Sequence, residues 1–472
     1  MFRRYLALSL FFGGLLGTSP GPASDLLPDN WDISSGDNVK WVVELGSYSY
    51  GGPVVAGGKV FVGTNNARPR DPASTEDLGI LMAFDAADGA FLWQASHAKL
   101  DLELDYPDQG VCSTPTVEGD RLYYLSNRGE LLSLDTEGFR DGVNDGPWQD
   151  EIRTDERSAD VVWSLDLRGR LGVVPHYMSA SSPAISGDLL FVLTSNGADD
   201  AGAIAAPGAP SFVAVRKETG EVVWQDSSAS PRLIDGQWSS PTVAFLGGRS
   251  QVLFGGGDGW LYSFDPPSGE LLWSFDGNAS AGVEVDRGGD PNVFVATPLV
   301  VGERIFLGMG RDPEVGSAPG SLWALEGDPQ DELQTPSVAW HLGGQHSGRQ
   351  RPGAYDFGRT IATVTVADGV LYAADLDGFV FAIDPEDGRI HWRYDALAPV
   401  WASPVVLDGR LYVVDTDGEV TVMSAGKEMV VHREIDMGAP IYRAPVATED
   451  VLFVMTSDRL FALSENAGPD GS

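Results

Sequence analysis

The sequence has a single cysteine, Cys112, among its 472 residues, so no intramolecular disulfide can form. Basic residues are also scarce: 31 Lys and Arg stand against 68 Asp and Glu, which gives a formal net charge of −37. A field of that sign repels phosphate backbones and anionic lipid surfaces, and this argues against nucleic-acid binding and binding to anionic membranes. The acidity is typical of a protein that stays soluble in a salty or extracytoplasmic medium.

Long hydrophobic runs are missing beyond the first residues. Arg3 and Arg4 precede an apolar stretch at 5–16, and small residues follow at 19–24. This is the pattern of a secretory signal peptide, which is too short to span a bilayer comfortably and is removed on export. We therefore expect a signal peptide at 1–24, no transmembrane segment, and a mature protein that is periplasmic or extracellular and monomeric.

Motifs for catalysis and metal binding are missing as well. The six histidines show no metal-like spacing, and no nucleophile elbow, P-loop or dinucleotide fingerprint occurs in a credible context. Sustained helical periodicity is absent, while 58 glycines recur at regular intervals. Turns and short strands therefore dominate, in a chain whose 43% hydrophobic content suffices for a large core.

What is present is a repeat, seen most clearly in an eleven-residue frame that ends in tryptophan. Its best copies are AFDAADGAFLW (83–93), AVRKETGEVVW (214–224), SFDPPSGELLW (263–273) and AIDPEDGRIHW (382–392). Each frame follows a residue, usually proline, that opens a short strand. Eight such openings occur, at Pro53, Pro115, Pro183, Pro241, Pro298, Val364, Pro404 and Pro445.

The repeat length predicts the fold. The last two intervals, 364 to 404 and 404 to 445, are about 40 residues long, which fits four strands of five to six residues with their turns. Repeats of four antiparallel strands predict an all-β protein, an eight-bladed β-propeller. The last unit has only three strands, so we expect the N-terminal segment KWVVEL (40–45) to complete the last blade and close the ring.

The propeller is expected to span 38–465, between an N-terminal linker at 25–37 and a flexible C-terminal tail at 466–472. Within the frame, glycine allows a turn with positive φ between the third and fourth strands. The tryptophan is large and carries a hydrogen-bond donor, so it can dock between neighbouring blades and reach a backbone carbonyl. We assign this structural docking role to Trp41, Trp93, Trp163, Trp224, Trp273, Trp340 and Trp392.

The A-x-D-x-x-T-G-x-x-x-W frame resembles the tryptophan-docking motif of PQQ-repeat, or quinoprotein-like, β-propellers. The resemblance covers roughly 40–463. The chain is also similar to secreted PQQ-like repeat proteins of environmental bacteria, in stretches such as GGGDGWLYSFDPPSGELLW (255–273) and FGRTIATVTVADGVLYAADLDG (357–378).

The resemblance implies the propeller fold and two kinds of function. Some PQQ-repeat propellers are calcium- and quinone-dependent alcohol dehydrogenases, in which two adjacent cysteines form a disulfide against the quinone. Another is a scaffold lipoprotein of the outer-membrane β-barrel assembly machine, which binds no cofactor. This chain has only Cys112, and none of its positions matches the dehydrogenases' catalytic Asp or their calcium-binding Glu, Asn and Asp.

Loop lengths indicate which face is functional. In a four-stranded blade, the connections between strands one and two and between three and four lie on one face, and here they are short, as in VADG and PEDG. We expect every large insertion on the opposite face, at 64–78, 94–110, 164–179, 195–210, 276–292, 311–320 and 341–358. Long loops on one rim of a rigid scaffold usually carry binding sites, although loop growth costs little and can be neutral.

The position three residues before each strand opening adds to this expectation. Round the ring it is occupied by Tyr50, Cys112, Ala180, Trp238, Val295, Ile361, Trp401 and Tyr442. Four of these eight are aromatic, and they are expected at the mouth of the central channel. There they can stack a planar ligand, a sugar ring or a peptide side chain, or pack the long loops as a hydrophobic collar.

Charged residues near the same rim complete the candidate site. Arg359 and Arg443 lie close to strand openings, where a guanidinium suits a carboxylate-bearing ligand or a structural salt bridge. His176 lies in a loop near this rim and is a further candidate ligand-binding residue.

We interpret the chain as a binding or scaffolding module that acts through its insertion-rich face. Its partner would be a protein or a small carboxylate or sugar-like ligand, with no cofactor and no metal. The alternative is a dehydrogenase that uses PQQ with calcium in a divergent active site, and a hydrolase or lyase on the same scaffold also stays open.

Overall fold

The computed structural model describes residues 27–72, 74–101, 104–283, 285, 289–312, 315, 318–327, 335–343, 357–465 and 467. The expected signal peptide at 1–24 and most of the expected tail at 466–472 lie outside the described residues. In the described part of the chain, no helix has the length and apolar character needed to cross a membrane.

The described strands form eight sheets of four antiparallel strands each, and the predicted eight-bladed β-propeller is confirmed. Blade 1 comprises β2 (Val54–Ala56), β3 (Lys59–Asn65), β4 (Leu78–Asp85) and β5 (Phe91–Ala98). Blade 2 comprises β6 (Thr116–Glu118), β7 (Arg121–Leu125), β8 (Glu130–Asp135) and β9 (Val161–Asp166). Blade 3 comprises β10 (Ala184–Ser186), β11 (Leu189–Leu193), β12 (Phe212–Arg216) and β13 (Val222–Asp226). Blade 4 comprises β14 (Thr242–Leu246), β15 (Arg249–Gly255), β16 (Trp260–Phe264) and β17 (Leu271–Asp276).

The second half of the ring repeats this arrangement. Blade 5 comprises β18 (Leu299–Val301), β19 (Arg304–Met309), β20 (Ser321–Glu326) and β21 (Val338–Gly343). Blade 6 comprises β22 (Thr365–Ala367), β23 (Val370–Ala374), β24 (Phe379–Ile383) and β25 (Ile390–Asp395). Blade 7 comprises β26 (Val405–Leu407), β27 (Arg410–Val414), β28 (Glu419–Ser424) and β29 (Val431–Asp436). Blade 8 comprises β30 (Val446–Ala447), β31 (Leu452–Met455), β32 (Arg459–Leu463) and β1 (Val39–Glu44). In the described ranges, two short helices, α1 (Leu167–Leu171) and α2 (Gly277–Ser280), and the 3₁₀ turns Gly138–Asp141 and Ser230–Arg232 lie between strands.

The strand openings are where the sequence indicates them. Every innermost strand begins one residue after its opening residue, as β2 does at Val54 after Pro53 and β22 at Thr365 after Val364. Proline has no backbone N–H, so it suits the position just before a strand joins its ladder.

The tryptophan of one blade packs on the turn of the next blade. Six of the seven assigned tryptophans donate the indole N–H to a backbone carbonyl in the next blade: Trp41 to Ala86 at 3.2 Å, Trp93 to Thr136 at 3.1 Å, Trp163 to Lys217 at 2.9 Å, Trp224 to Pro266 at 2.7 Å, Trp340 to Pro385 at 2.9 Å and Trp392 to Gly426 at 3.0 Å. Trp273 instead donates to the Gln251 side chain of its own blade, at 2.9 Å.

This packing explains why glycine recurs in the frame. Gly89 has φ +74°, and a Cβ at this position would lie 2.9 Å from the Trp41 ring. Gly220, with φ +69°, would clash with the Trp163 ring in the same way, at 2.6 Å. Glycine is therefore needed both for the turn conformation and for the close approach of the ring from the preceding blade.

The two ends of the chain close the ring together, as predicted. Strand β1 pairs antiparallel with β32, with Val42 opposite Phe461. Immediately before β1, the backbone N–H of Asn38 donates to the carbonyl of Ala467 at 2.6 Å. The sheet of blade 8 therefore contains strands from both termini, and closure leaves the ring without an open end.

The segment at 25–37, which the sequence assigns to a linker, contributes to the core where it is described. Leu27 is 5% exposed and Trp31 is 3% exposed, in the apolar cluster between blades 7 and 8. In blade 7, Arg433 occupies the strand position that the docking tryptophan has in the other blades. It pairs with Val422 on the neighbouring strand, as Trp93 pairs with Ala83 in blade 1. Trp31 therefore fills the one blade junction whose own repeat lacks a tryptophan.

One long connection lies on the face expected to carry only short ones, and this part of the prediction is wrong. Residues 136–160 connect β8 to β9 within blade 2. Gln94 on β5, the outer strand of blade 1, donates to the carbonyl of Arg157 and accepts from Ala159, both at 3.0 Å. The insertion thus covers an outer sheet edge that would otherwise present unpaired backbone groups.

Candidate functional site

The long connections on the predicted face are not evenly distributed round the ring. All the longer ones lie at blades 1 to 5, including 66–77, 99–115, 167–183, 194–211, 277–298 and 344–364, although 126–129 in blade 2 and 256–259 in blade 4 are short. Blades 6 to 8 have short ones, at 375–378, 396–404, 415–418, 437–445 and 456–458. This difference leaves a notch in the rim at blades 6 to 8, next to the channel mouth.

Three of the four aromatic residues predicted at the mouth meet in this notch. The ring centroids of Tyr50 and Tyr442 are 4.9 Å apart, those of Trp401 and Tyr442 are 5.1 Å apart, and those of Tyr50 and Trp401 are 6.2 Å apart. Tyr48 stacks on Tyr50 at 5.9 Å and is 39% exposed. We refer to Tyr48, Tyr50, Trp401 and Tyr442 as the aromatic notch. Sequence reasoning missed Tyr48 because it lies two residues outside the repeating position.

Arg443 follows Tyr442 at the junction of blades 8 and 1. Its Nε donates to the backbone carbonyl of Tyr50, and in the described part of the chain no carboxylate lies within 4.0 Å of its guanidinium. Burial lowers the pKa of Arg443 from its ordinary value. The arginine therefore places an unpaired cation beside two residues of the aromatic notch.

The repeat shows why Arg443 is unusual. The equivalent position in the other blades is occupied by small residues: Gly51, Ser113, Ser181, Ser239, Ala296, Ala362 and Ala402. Two of the serines donate across a blade junction, Ser113 to the carbonyl of Ser181 at 2.9 Å and Ser239 to that of Ala296 at 2.8 Å. Arg443 makes a similar contact to blade 1 through Nε, and its other donors extend beyond that contact.

Trp238 and His176 lie on the other side of the ring, at blades 3 and 4. Their ring centroids are 6.3 Å apart, and His176 Nε2 lies 3.6 Å from Asp200 and 3.8 Å from Asp235. Arg311 donates to Asp235 at 3.0 Å. The structure therefore separates Trp238 and His176 from the aromatic notch and places them beside paired charges. Sequence reasoning missed Asp235 and Arg311.

Arg359 lies at the entrance to blade 6 and does not join the notch group. Its Nη1 donates to the carbonyl of Val315 at 2.8 Å. This contact ties the arginine to a connection of blade 5. Of the two arginines singled out in the sequence, Arg443 is the one that the structure brings to the aromatic notch.

Two buried carboxylates fix the turns at the rim of blades 6 and 7. Asp375 is 2% exposed and accepts hydrogen bonds from the backbone of Phe379 at 2.9 Å and of Gly358 at 3.1 Å. Asp415 is 3% exposed and accepts from the backbone of Glu419 at 3.0 Å. They therefore shape the rim rather than face a ligand.

Burial of acidic groups leads to a testable pH dependence. Burial is the main cause that raises the pKa of Asp160, Asp258 and Asp375, each to about 6. The folded state then holds these protons more tightly than the unfolded chain, whose carboxyls titrate near pH ~4. Stability should therefore fall as the pH rises through 6, and urea unfolding should give a larger free energy at pH 5 than at pH 7.5, by on the order of 1 kcal/mol per group.

Asp160→Asn is the matched variant for this prediction. Asp160 Oδ2 accepts from the backbone of Asp145 at 2.8 Å, whereas its Oδ1 is buried without a hydrogen-bond partner among the described residues. An asparagine keeps the acceptor and removes the buried charge, so it should raise stability at pH 7.5 and flatten the pH profile. An unchanged slope in this variant would contradict the assignment of part of the pH dependence to Asp160.

The single cysteine and one acidic cluster bear on the calcium and quinone chemistry that the family resemblance raises. Cys112 is buried, and burial raises the pKa of its thiol to about 12, so it is neither an exposed nor a reactive thiol. Among the described residues, the one group of three potential ligand side chains within 4.8 Å of one another is Asp135, Asp141 and Asp145. That group lies on the opposite face of blade 2, where Arg121 already contacts Asp135 at 2.5 Å.

The fold and its contacts define a tryptophan-docked, PQQ-like repeat β-propeller. A family model described as "Outer membrane protein assembly factor BamB" matches the chain at residues 41–307, 209–350 and 257–469. The matches together span nearly the whole propeller, and the chain belongs to this family.

Individual relatives are distant. The chain is 27% identical over 235 residues to the outer membrane protein assembly factor BamB of Alkalilimnicola ehrlichii, over 48% of this chain and 50% of that protein. It is 21% identical over 422 residues to the BamB of Yersinia pestis, over 88% of this chain and 85% of that protein. The crystal structure of BamB from Moraxella catarrhalis is similar, with a TM-score of 0.55 and 14% identity, over 90% of this chain and 96% of that one. At that identity the structural likeness shows the fold alone.

Proposed function

We propose that this protein is a periplasmic binding or scaffolding module that engages a protein partner at the aromatic notch on its insertion-rich face. The observation that carries the proposal is the convergence of Tyr48, Tyr50, Trp401 and Tyr442 within 6.2 Å of their nearest ring neighbours, next to an unpaired arginine. Aromatic residues and arginine are the side chains enriched at the centres of protein interfaces.

The shape of the rim supports the same function. The aromatic notch lies where the connections are short, at 396–404 and 437–445, between regions that have long ones. A partner segment that enters there can bury the aromatic rings while the longer loops contact it from the sides. Aromatic side chains bury large areas with few rotatable bonds, so such a contact costs little side-chain entropy.

Family membership supports a role in assembly rather than in catalysis. The relatives of Alkalilimnicola and Yersinia are each named as assembly factors for outer membrane proteins. We extend this kind of role to the present chain, together with the periplasmic location that the predicted signal peptide indicates.

A photo-crosslinking experiment tests the proposal. A benzophenone amino acid placed at Tyr48 should give discrete crosslinks to a protein of the cell envelope, because Tyr48 is the most exposed residue of the aromatic notch. The same group placed at Ile152, which is 100% exposed on the opposite face, is the matched control and should give none of these products. Combined Trp401→Ala and Tyr442→Ala should reduce the crosslinks at Tyr48 at least tenfold, because a few buried aromatic residues carry most of an interface's binding energy.

Two results would contradict the proposal. One is a crosslinking pattern at Tyr48 that equals the pattern at Ile152 or that survives the double substitution. The other is saturable, calcium-dependent binding of PQQ that is lost in Trp238→Ala or Arg359→Ala, which would favour the dehydrogenase.

A further inference from the structure

We infer that Arg443 is the receptor for a carboxylate that is attached to a flat aromatic or apolar group, whether that group is a small molecule or part of a protein partner. The inference rests on the proposed function, because it places the ligand in the same aromatic notch. It is tested with small probes of its own, so either proposal can fail without the other.

Arg443 occupies a position of the repeat that small residues fill in the other blades. Seven of the eight equivalent positions hold glycine, alanine or serine, which suffice for packing and for a hydrogen bond across the blade junction. At the junction of blades 8 and 1, a Cβ on Gly52 would lie at an ordinary contact distance of 3.9 Å from Arg443 Cγ. The arginine side chain therefore lies beside the backbone of blade 1 at Gly52.

The guanidinium of Arg443 has unused hydrogen-bonding capacity. A guanidinium has five N–H donors, and the Nε of Arg443 donates to the carbonyl of Tyr50. The two Nη atoms make no hydrogen bond to the described residues, and Arg443 as a whole is half-buried. Four donors in a planar arrangement are therefore available to a ligand, and this is the geometry that grips a carboxylate.

The charge of Arg443 is not compensated by a carboxylate among the described residues. Burial lowers the pKa of Arg443, and the nearby Cys112 thiol, whose pKa burial raises to about 12, is neutral near pH 7. A partly desolvated cation without a counter-charge is unfavourable, and an anionic ligand removes that cost. Lys and Arg number 31 in all, Arg443 included, against 68 Asp and Glu, so a cation without a carboxylate partner among the described residues is unusual in this protein.

The residues around Arg443 indicate what the rest of the ligand would contact. Tyr442 precedes Arg443 in the chain, and the Tyr50 carbonyl accepts its hydrogen bond, so the aromatic rings of both residues belong to the immediate surroundings. A ligand held by its carboxylate would place its body against these rings. The net charge of −37 disfavours a ligand with two or more negative charges, so the favoured class is a monocarboxylate with an aromatic or apolar body.

Ligand-observed fluorine NMR with 4-fluorobenzoate tests this inference on the purified, exported protein. We expect saturable binding that unlabelled benzoate displaces and that the neutral analogue benzamide does not. Arg443→Gln should weaken binding at least tenfold, and Arg443→Lys should give an intermediate loss because it keeps the charge but not the fork. Arg433→Gln is the matched control, since it removes the same charge from an exposed position on β29, and it should leave binding unchanged.

A second arm distinguishes the two sources of the carboxylate. A short peptide that ends in phenylalanine with a free C-terminus, and the same peptide with a C-terminal amide, are compared as competitors. If the free-acid peptide displaces the probe and the amide does not, the natural ligand is a protein C-terminus. If benzoate displaces the probe and neither peptide does, the natural ligand is a small molecule. Melting temperatures confirm that each variant is folded. No binding of either acid at 10 mM, or equal binding to the wild type and Arg443→Gln, would overturn the inference.

Discussion

Replacing Trp31 by alanine is expected to lower the free energy of unfolding by about 3–5 kcal/mol, as for other fully buried tryptophans. Trp31 is 3% exposed, and its indole N–H contacts Met437 Sδ at 3.1 Å between blades 7 and 8. The loss should match that of Trp93→Ala, which removes a docking tryptophan of the repeat itself. Equilibrium urea unfolding at constant pH measures both.

The sequence alone predicts a different outcome for Trp31→Ala. If 25–37 were a linker that packs on nothing, Trp31→Ala would be neutral, as Ile152→Ala should be at a fully exposed position. A loss below 1 kcal/mol for Trp31→Ala would therefore show that the segment does not hold blades 7 and 8 together. Trp31→Phe, which keeps most of the apolar surface, should lie between the two.

The fold could be predicted from the sequence because the repeat encodes it several times. Each frame combines a glycine that must adopt positive φ with a tryptophan that packs on the glycine of the next blade, as Trp41 does on Gly89. This contact joins consecutive repeats. The spacing of the glycine and the tryptophan along the chain therefore determines which blades pack together. Trp31 was missed for the opposite reason: it serves a junction more than 400 residues away along the chain, and no repeat surrounds it.

The candidate site was only partly predictable. The ring position three residues before each strand opening places Tyr50, Trp401 and Tyr442 at the channel mouth by repeat geometry alone. The order of the blades in the closed ring separates Trp238, which precedes blade 4, from the other three residues, which precede blades 1, 7 and 8. The partners of a single side chain, such as the Tyr50 carbonyl that accepts from Arg443, depend on local packing that no periodic pattern specifies.

The long insertion at 136–160 shows the limit of reasoning from loop length. Short connections on this face are found in most blades, but an insertion can also lie on this face where it covers another surface. Here it bonds to the outer strand of blade 1 through Gln94, which protects a sheet edge. Length alone therefore does not distinguish a loop that binds a partner from one that covers an edge.

A chain that begins at Ser47, and so lacks β1 and the segment before it, is expected to lose cooperative folding altogether. Such a chain lacks Leu27, Trp31, Trp41 and Leu45, all of which are at most 8% exposed, and it exposes the β32 edge. The loss should exceed the 5–15 kcal/mol that typically holds a domain folded, since four core side chains and a whole strand ladder are removed at once. Circular dichroism and size-exclusion chromatography should show an aggregated or molten chain without a sharp thermal transition.

Adding the missing strand in trans separates ring closure from a simple loss of residues. A synthetic peptide of residues 27–46 should restore a cooperative transition to the truncated chain, with a midpoint that rises with peptide concentration, because binding stabilises only the folded state. The same peptide with Trp31→Ala and Trp41→Ala keeps the backbone donors of β1 but loses both docking rings, and it should fail to rescue. Full cooperativity of the truncated chain without any peptide would mean that blades 1 to 8 hold together by their own interfaces, and that the shared sheet of blade 8 is not what closes the ring.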